Sequence, residues 1–298
     1  MATPETLVKY ASINTAMEII NSGTLRWSSP ELFNEPWAVR FNPELSFDHH
    51  TVSKAMLRAA TAMIFTRDLP AGNLDHPLYK AIRRWRGEDR FHDENEAYEA
   101  LSELLAPTPE TLRGKLEKMI CQWQALVETA RVICFSENHR ELRCWEKYAD
   151  NYRGVALRFA RRNAFANPEP VDYTTTRPNL TTVKEQVDDL VGIRAAEKPA
   201  SFTSRFLMKP RSDAQEKEWR CIRIMNEEDL DCGEDIEDWY MDEPFHPQDL
   251  EAVYLGFRMS EYDRETFSQL IRSAYPSVTI YQSRPQEDQY ELDFQKIS

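Results

Sequence analysis

The sequence predicts an α+β fold built on a mixed sheet. Two observations carry that expectation. Short segments rich in β-branched and aromatic residues (TLVKYA, TLRWS, RVICFS, VALRF, LEAVYLGF) occur near both ends of the chain and in its middle, so strands are contributed throughout. Between them, residues 50–128 carry apolar residues at three-to-four spacing with no strand–helix alternation, the mark of packed helices rather than βαβ units. A third observation narrows the chemistry. Only 8 of 298 residues are glycine, and none are spaced as GxGxxG or as a P-loop, so neither common phosphate-cradling loop is present.

In chain order, TLVKYA at 6–11 reads as a strand. Ser12 caps a helix with Ala16, Ile19 and Ile20 on one side, and Gly23 ends it. TLRWS at 24–28 returns as a strand, and SPELFNEPW at 29–37 is a proline-bounded loop. Over 50–128, VSKAMLRAATAMIF, PLYKAIRRW and ENEAYEALSELLA are helical, and Thr108-Pro109-Glu110 starts a further helix running towards Thr129. This stretch is expected as a helical insertion or lobe within a single domain over 1–298. RVICFS at 131–136 is a nearly continuous apolar run, hence a buried strand. ELRCWEKYAD at 141–150 is a helix with Leu142, Trp145, Tyr148 and Ala149 along one side, followed by the strand VALRF at 155–159. PVDYT at 170–174 reads as an edge strand, VKEQVDDLVGIRAAE at 183–197 as a helix, and EKEWRCIRI at 216–224 and LEAVYLGF at 250–257 as strands. Ser260 caps a helix to about Ala274, and VTIYQ and YELDF close the chain as strands.

The chain carries 37 basic and 50 acidic residues, a net charge of −13. A basic nucleic-acid-binding surface over the whole chain is therefore not expected. Most of the excess lies between Glu216 and Glu251, with 14 acids against 3 bases. The densest part, 226–243, reads as a solvated acidic loop, with a divalent-cation site or a contact for a basic protein partner as sharper alternatives. It lacks the ordered spacing of a calcium loop. No stretch approaches the roughly 18 apolar residues of a membrane span, and the first residues show no basic-then-apolar leader. The expectation is a cytoplasmic protein with no membrane partner. The five cysteines (Cys121, Cys134, Cys144, Cys221, Cys232) form no CxxC, the histidines no HExxH, and no serine a GxSxG elbow. Reduced thiols and no metal site are expected.

Three constellations remain. In Glu216-Lys217-Glu218-Trp219-Arg220, strand alternation puts Glu216, Glu218 and Arg220 on one face. Two carboxylates about 7 Å apart along a strand can hold a substrate hydroxyl while the arginine orients them or meets a phosphate; a surface ladder of ion pairs is the alternative. Ser136, at the end of a buried strand, precedes Trp145 and Tyr148 on adjacent helix turns, placed to stack on a flat ligand or to pack on the sheet. Lys9 and Tyr10 come with Trp27 and with Phe33-Asn34-Glu35-Pro36, where Asn34 caps backbone groups or binds a ligand amide.

In this order the three constellations resemble a bacterial family, the domain of unknown function 2971. The matching segments are KYASINTAMEIINSGTLRWSSPELFNEPW, CFSENHRELRCWEKYADNYRGVALRF, EKEWR and DLEAVYLGF, closed by a C-terminal helix and strand, and the resemblance spans about 7–283 without the helical 50–128 stretch. Glu35, Trp37 and Tyr152 depart from the family's usual aspartate, phenylalanine and histidine. The layout also resembles ADP-ribosyltransferases: an early polar residue on a strand, a middle strand ending in serine, a late strand carrying glutamate. That resemblance implies a mostly antiparallel sheet core and an NAD-using enzyme that transfers ADP-ribose to a protein or nucleic-acid acceptor, in the setting of a toxin or phage-defence effector. By it, Glu218 is the catalytic carboxylate, assisted by Glu216 and oriented by Arg220. Lys9 and Tyr10 take the ribose side, and Ser136, Trp145 and Tyr148 the nicotinamide side. Two other classes stay open: a non-catalytic sensor docking partners on its helical lobe, and a metal-dependent phosphodiesterase using Glu216, Glu218 and the acidic block.

Overall fold

The structure is a computed structural model and describes residues 3–33, 45–176, 179–193, 202–226 and 239–297. It is α+β, and its main sheet is mostly antiparallel. The chain divides into two compact units. The first comprises Met1–Arg40, Val127–Arg177 and Phe206–Ser298; the second comprises Phe41–Leu126 and Pro178–Arg205.

The first unit opens with β1 (Thr6–Ala11), α1 (Ile13–Ser22) and β2 (Thr24–Ser28). The Ser12 hydroxyl accepts from the Thr15 N–H and fixes the start of α1. Gly23, at φ 67°, ends the helix and returns its N–H to the Ile19 carbonyl. The unit resumes with β3 (Ala130–Ser136), α6 (Leu142–Lys147), β4 (Val155–Ala160), β5 (Glu169–Pro170) and β6 (Asp172–Thr174). It closes with β7 (Met208–Pro210), β8 (Glu218–Ile224), β9 (Tyr240–Pro244), β10 (Leu250–Leu255), α8 (Glu261–Ala274), β11 (Thr279–Pro285) and β12 (Leu292–Lys296).

The main sheet runs β12-β11-β10-β4-β1-β3-β2-β9, with β8 paired to β3 and β5 to β8. Among the described residues, only β10 and β11 pair in parallel within it; β6 and β7 form a separate parallel pair. Alternation along the strands divides the core. Leu7 and Ala11 of β1 join Leu157, Leu255 and the α1 and α8 residues Ile20, Phe267 and Ile271 in one cluster. Val8 and Tyr10 join Trp145, Ala156 and Tyr254 in another.

The position of β3 prepares the site. One edge of β3 pairs with β8 along its whole length, from Ala130↔Ile224 to Ser136↔Glu218. The other edge is shared: β2 meets it at Ser28↔Val132, and β1 only at Val8↔Ser136. On its other edge, β1 pairs through all six residues with β4. β1 and β3 are thus neighbours joined by a single register pair.

The second unit contains α2 (His49–Phe65), α3 (Pro77–Gly87), α4 (Glu94–Leu104), most of α5 (Thr108–Thr129) and α7 (Val183–Leu190). Val52, Ile64, Ile82, Leu101, Leu112 and Val187 form its own core. The helical lobe expected over 50–128 thus takes in a second segment, 178–205, far along the sequence.

Several boundaries differ from expectation. β8 starts at Glu218, because Arg211–Glu216 is a 3-10 turn ended by Lys217 at φ 45°. The helix expected over 141–150 stops at Lys147, and the chain then turns through Asp150, Asn151 and Tyr152 at positive φ. α7 ends at Leu190, and residues 194–197 lie outside the described residues. PVDYT divides into β5 and β6, and β7 and β9 were not foreseen. Of the acidic stretch 226–243, residues 227–238 lie outside the described residues, and with them the cation-site and basic-partner expectations. No helix among the described residues is long and apolar enough to cross a membrane.

Candidate active site

The register of β1, β3 and β8 places Val8, Ser136 and Glu218 in one row across three neighbouring strands. Where β1 meets β3, a cavity of about 330 Å³ opens, lined by the consecutive residues Val8, Lys9 and Tyr10 on one side and Cys134, Phe135 and Ser136 on the other. Consecutive residues point to opposite faces of a strand. Three consecutive residues of each strand meet the cavity where β1 and β3 come together. Leu32 and Phe33, Cys144, Lys147 and Tyr148, and Glu216, Glu218 and Arg220 complete the lining.

Glu216 and Glu218 are held by a buried ammonium. Lys209 Nζ, on β7, donates to Glu216 Oε2 at 2.6 Å and to Glu218 Oε2 at 2.8 Å. Its side chain is fully buried. Arg220 Nε donates to Glu218 Oε1 at 2.7 Å, and its Nη1 to the Phe206 carbonyl at 2.6 Å. The guanidinium carbon lies 4.9 Å from the centre of the Phe33 ring, within cation–π range. Lys147 Nζ reaches Glu216 Oε1 at 2.9 Å, and the Tyr148 hydroxyl donates to Glu216 Oε2 at 2.9 Å. Burial pushes the Glu218 carboxyl up, but Arg220 and Lys209 outweigh it and hold the group at about 2. Glu218 is therefore an ionised carboxylate at neutral pH, facing the cavity.

Backbone geometry lets two residues of different local structure share this ammonium. Lys217, in the left-handed region, turns the chain so that Glu216 and Glu218 both reach Lys209. The Ser136 hydroxyl donates to the Glu216 carbonyl at 2.8 Å, and the Glu218 N–H donates to the Tyr173 hydroxyl at 2.7 Å, so both ends of the turn are pinned. Burial raises the Tyr148 hydroxyl, which stays protonated and able to donate. It also raises the Cys134 and Cys144 thiols to about 12, so both line the cavity as unreactive thiols.

Of the residues singled out from sequence, Glu216, Glu218, Arg220, Lys9, Tyr10, Ser136 and Tyr148 line this one cavity. Trp145 does not. It is fully buried, edge-on to Tyr10 at 5.4 Å, with its Nε1 donating to the His139 carbonyl; it packs the core instead of meeting a ligand. Asn34, Glu35 and Trp37 lie outside the described residues. Tyr152 stacks parallel to Trp145 and bonds the Leu142 carbonyl, away from the cavity lining. Sequence reasoning missed Lys209 and Tyr173, which lie in short segments without periodicity. It also assigned no role to Lys147, although Lys147 sits inside the CWEKY segment already in view.

The donor set is unlike a metal centre. The Lys209 ammonium sits between Glu216 and Glu218, where a bridging cation would bind, and no group of three potential metal-ligating side chains occurs among the described residues. No protein-family model, no curated protein and no solved structure matches the chain.

Proposed function

We propose that the chain is an NAD-using, ADP-ribosyltransferase-like enzyme acting as a toxin or phage-defence effector, with the nicotinamide riboside end of NAD seated in the cavity. The observation that carries this reading is the convergence of β1 (Lys9, Tyr10), the end of β3 (Ser136) and the start of β8 (Glu218) on one cavity. Three segments more than 80 residues apart in sequence supply its lining, and the register aligns Val8, next to Lys9, with Ser136 and Glu218. A cavity of about 330 Å³ lies at the lower end of small-molecule pockets and suits one nucleoside-sized half of the dinucleotide.

In this reading Glu218 accepts a hydrogen bond from a ribose hydroxyl. Its negative charge favours the oxocarbenium-like sugar that forms as the glycosidic C–N bond breaks. The bond's electron pair leaves with nicotinamide, and a protein or nucleic-acid nucleophile then bonds the sugar carbon and loses its proton. Arg220 and Lys209 keep Glu218 ionised. Lys9 and Tyr10 flank the ribose, and Ser136 and Tyr148 the nicotinamide.

The test is incubation with NAD labelled in either half, with candidate acceptors. Wild type releases nicotinamide, and Glu218→Gln lowers that rate by about 100-fold or more. Absence of nicotinamide release, of label transfer and of any NAD-induced thermal shift in wild type overturns the reading.

A second reading has its own support. Every carboxylate oxygen of Glu216 and Glu218 already has a cationic or hydroxyl partner in the protein. Those partners hold both carboxylates in place while leaving part of their roughly four acceptor sites each for a ligand hydroxyl; this favours a pocket that binds a ligand without transforming it, as in a sensor module, and Glu218→Gln would then leave cellular function intact.

A further inference from the structure

Lys9 differs from the other cations of the cavity. Lys147 and Arg220, which also line it, each pair with a carboxylate at 2.9 Å or less. Among the described residues, Lys9 Nζ makes one hydrogen bond, to the Cys134 carbonyl at 3.1 Å, and no carboxylate lies within ion-pair distance of it. It lines the same cavity as the two carboxylates and the hydroxyls of Ser136 and Tyr148. Burial lowers its affinity for a proton; the Glu218 charge only partly opposes this. A desolvated lysine without a counter-ion is the setting in which an amine becomes a nucleophile.

We propose that Lys9 is a covalent capture site for an aldose, whose open-chain aldehyde meets the amine while its hydroxyl groups face Glu216 and Glu218. The ligand class follows from what surrounds the amine. Carboxylates are hydroxyl acceptors, and about 330 Å³ accommodates a pentose or its phosphate. The Lys9 nitrogen bonds the aldehyde carbon, the carbonyl π electrons move to oxygen, and that oxygen takes up the proton the nitrogen loses. The resulting carbinolamine expels water, its hydroxyl leaving with a proton from solvent, and loss of the remaining N–H proton gives the imine. No oxidant or reductant takes part, and the capture does not depend on NAD cleavage.

The experiment treats the full chain with ribose 5-phosphate, and separately with propanal, each with cyanoborohydride to trap the imine, followed by peptide mass mapping. Exposed Lys54 and Lys118 serve as internal references. Lys9 is expected to be alkylated by ribose 5-phosphate at least ten times faster than either reference. Alkylation at or below the reference rate overturns the proposal. Faster alkylation of Lys9 by propanal but not by ribose 5-phosphate overturns the aldose assignment. NAD is absent from the assay, so a failure here is distinguishable from failure of the transferase reading.

Discussion

Glu218 shows how single residues set this site's chemistry. Left alone in a buried position, its carboxyl would hold its proton more tightly, yet Arg220 and Lys209 bring it to about 2. An unfolded glutamate titrates near 4.3. The folded carboxylate therefore adds stability that is present in full above about pH 4.5 and is lost as pH falls towards 2. Urea unfolding of wild type and Glu218→Gln across pH 2–7 measures this directly. The stability difference between the two is expected to hold constant at the upper end and to shrink through the acidic window. A difference independent of pH would mean that the ion pairs do not stabilise the charged form. Lys209 serves the same end. An ammonium buried between two carboxylates is costly to desolvate, and such groups are weak evidence of added stability. Here it fixes two carboxylates at a cavity wall.

β1 lines one side of the cavity, and its end packs closely where β4 begins. A Cβ on Gly154 would lie 2.1 Å from the Ala11 carbonyl oxygen at the end of β1. Gly154→Ala must therefore push β1 away from the β4 turn, at a cost of about 1–3 kcal/mol, and displace Lys9 and Tyr10 with it. A lower melting temperature together with slower Lys9 alkylation is expected; a lower melting temperature alone would show that β1 keeps its position. The elements themselves were largely legible. β1, α1, β2, β3, β4, β10 and α8 follow from apolar strand segments, helical spacing and the Ser12, Gly23 and Ser260 caps, because each buries apolar side chains on one face or, in strands such as β3 and β10, on both. β7 and β9 were not legible: three residues in MKP and the alternating YMDEP offer little apolar pattern, and pairing with β6 and β2 forms them. The same reason hid Lys209. Trp145 failed in the other direction, since a large aromatic near a polar motif reads equally as a ligand platform or as core, and burial decided for core.

At the scale of the whole molecule, two units with separate cores carry separate questions. Every lining residue of the cavity belongs to the first unit, while the second has a helical core closed by α7 from a distant stretch of sequence. Sequence periodicity showed the helices of 50–128 but could not show that 178–205 folds with them, because that pairing is a tertiary event. Leu101 is fully buried at the centre of the second core. Leu101→Ala should cost that core about 2–5 kcal/mol. Hydrogen exchange is expected to show faster exchange for amides of α2, α4 and α7, with β4 and β10 protected as in wild type, since each core opens as its own cooperative unit. Measured alongside nicotinamide release, the same variant separates the two functional readings. A transferase whose chemistry lies wholly in the first unit keeps its rate, whereas a sensor that works through its helical unit loses cellular function while its cavity still binds ligand. Loss of protection in β4 and β10 as well would show that the units fold as one.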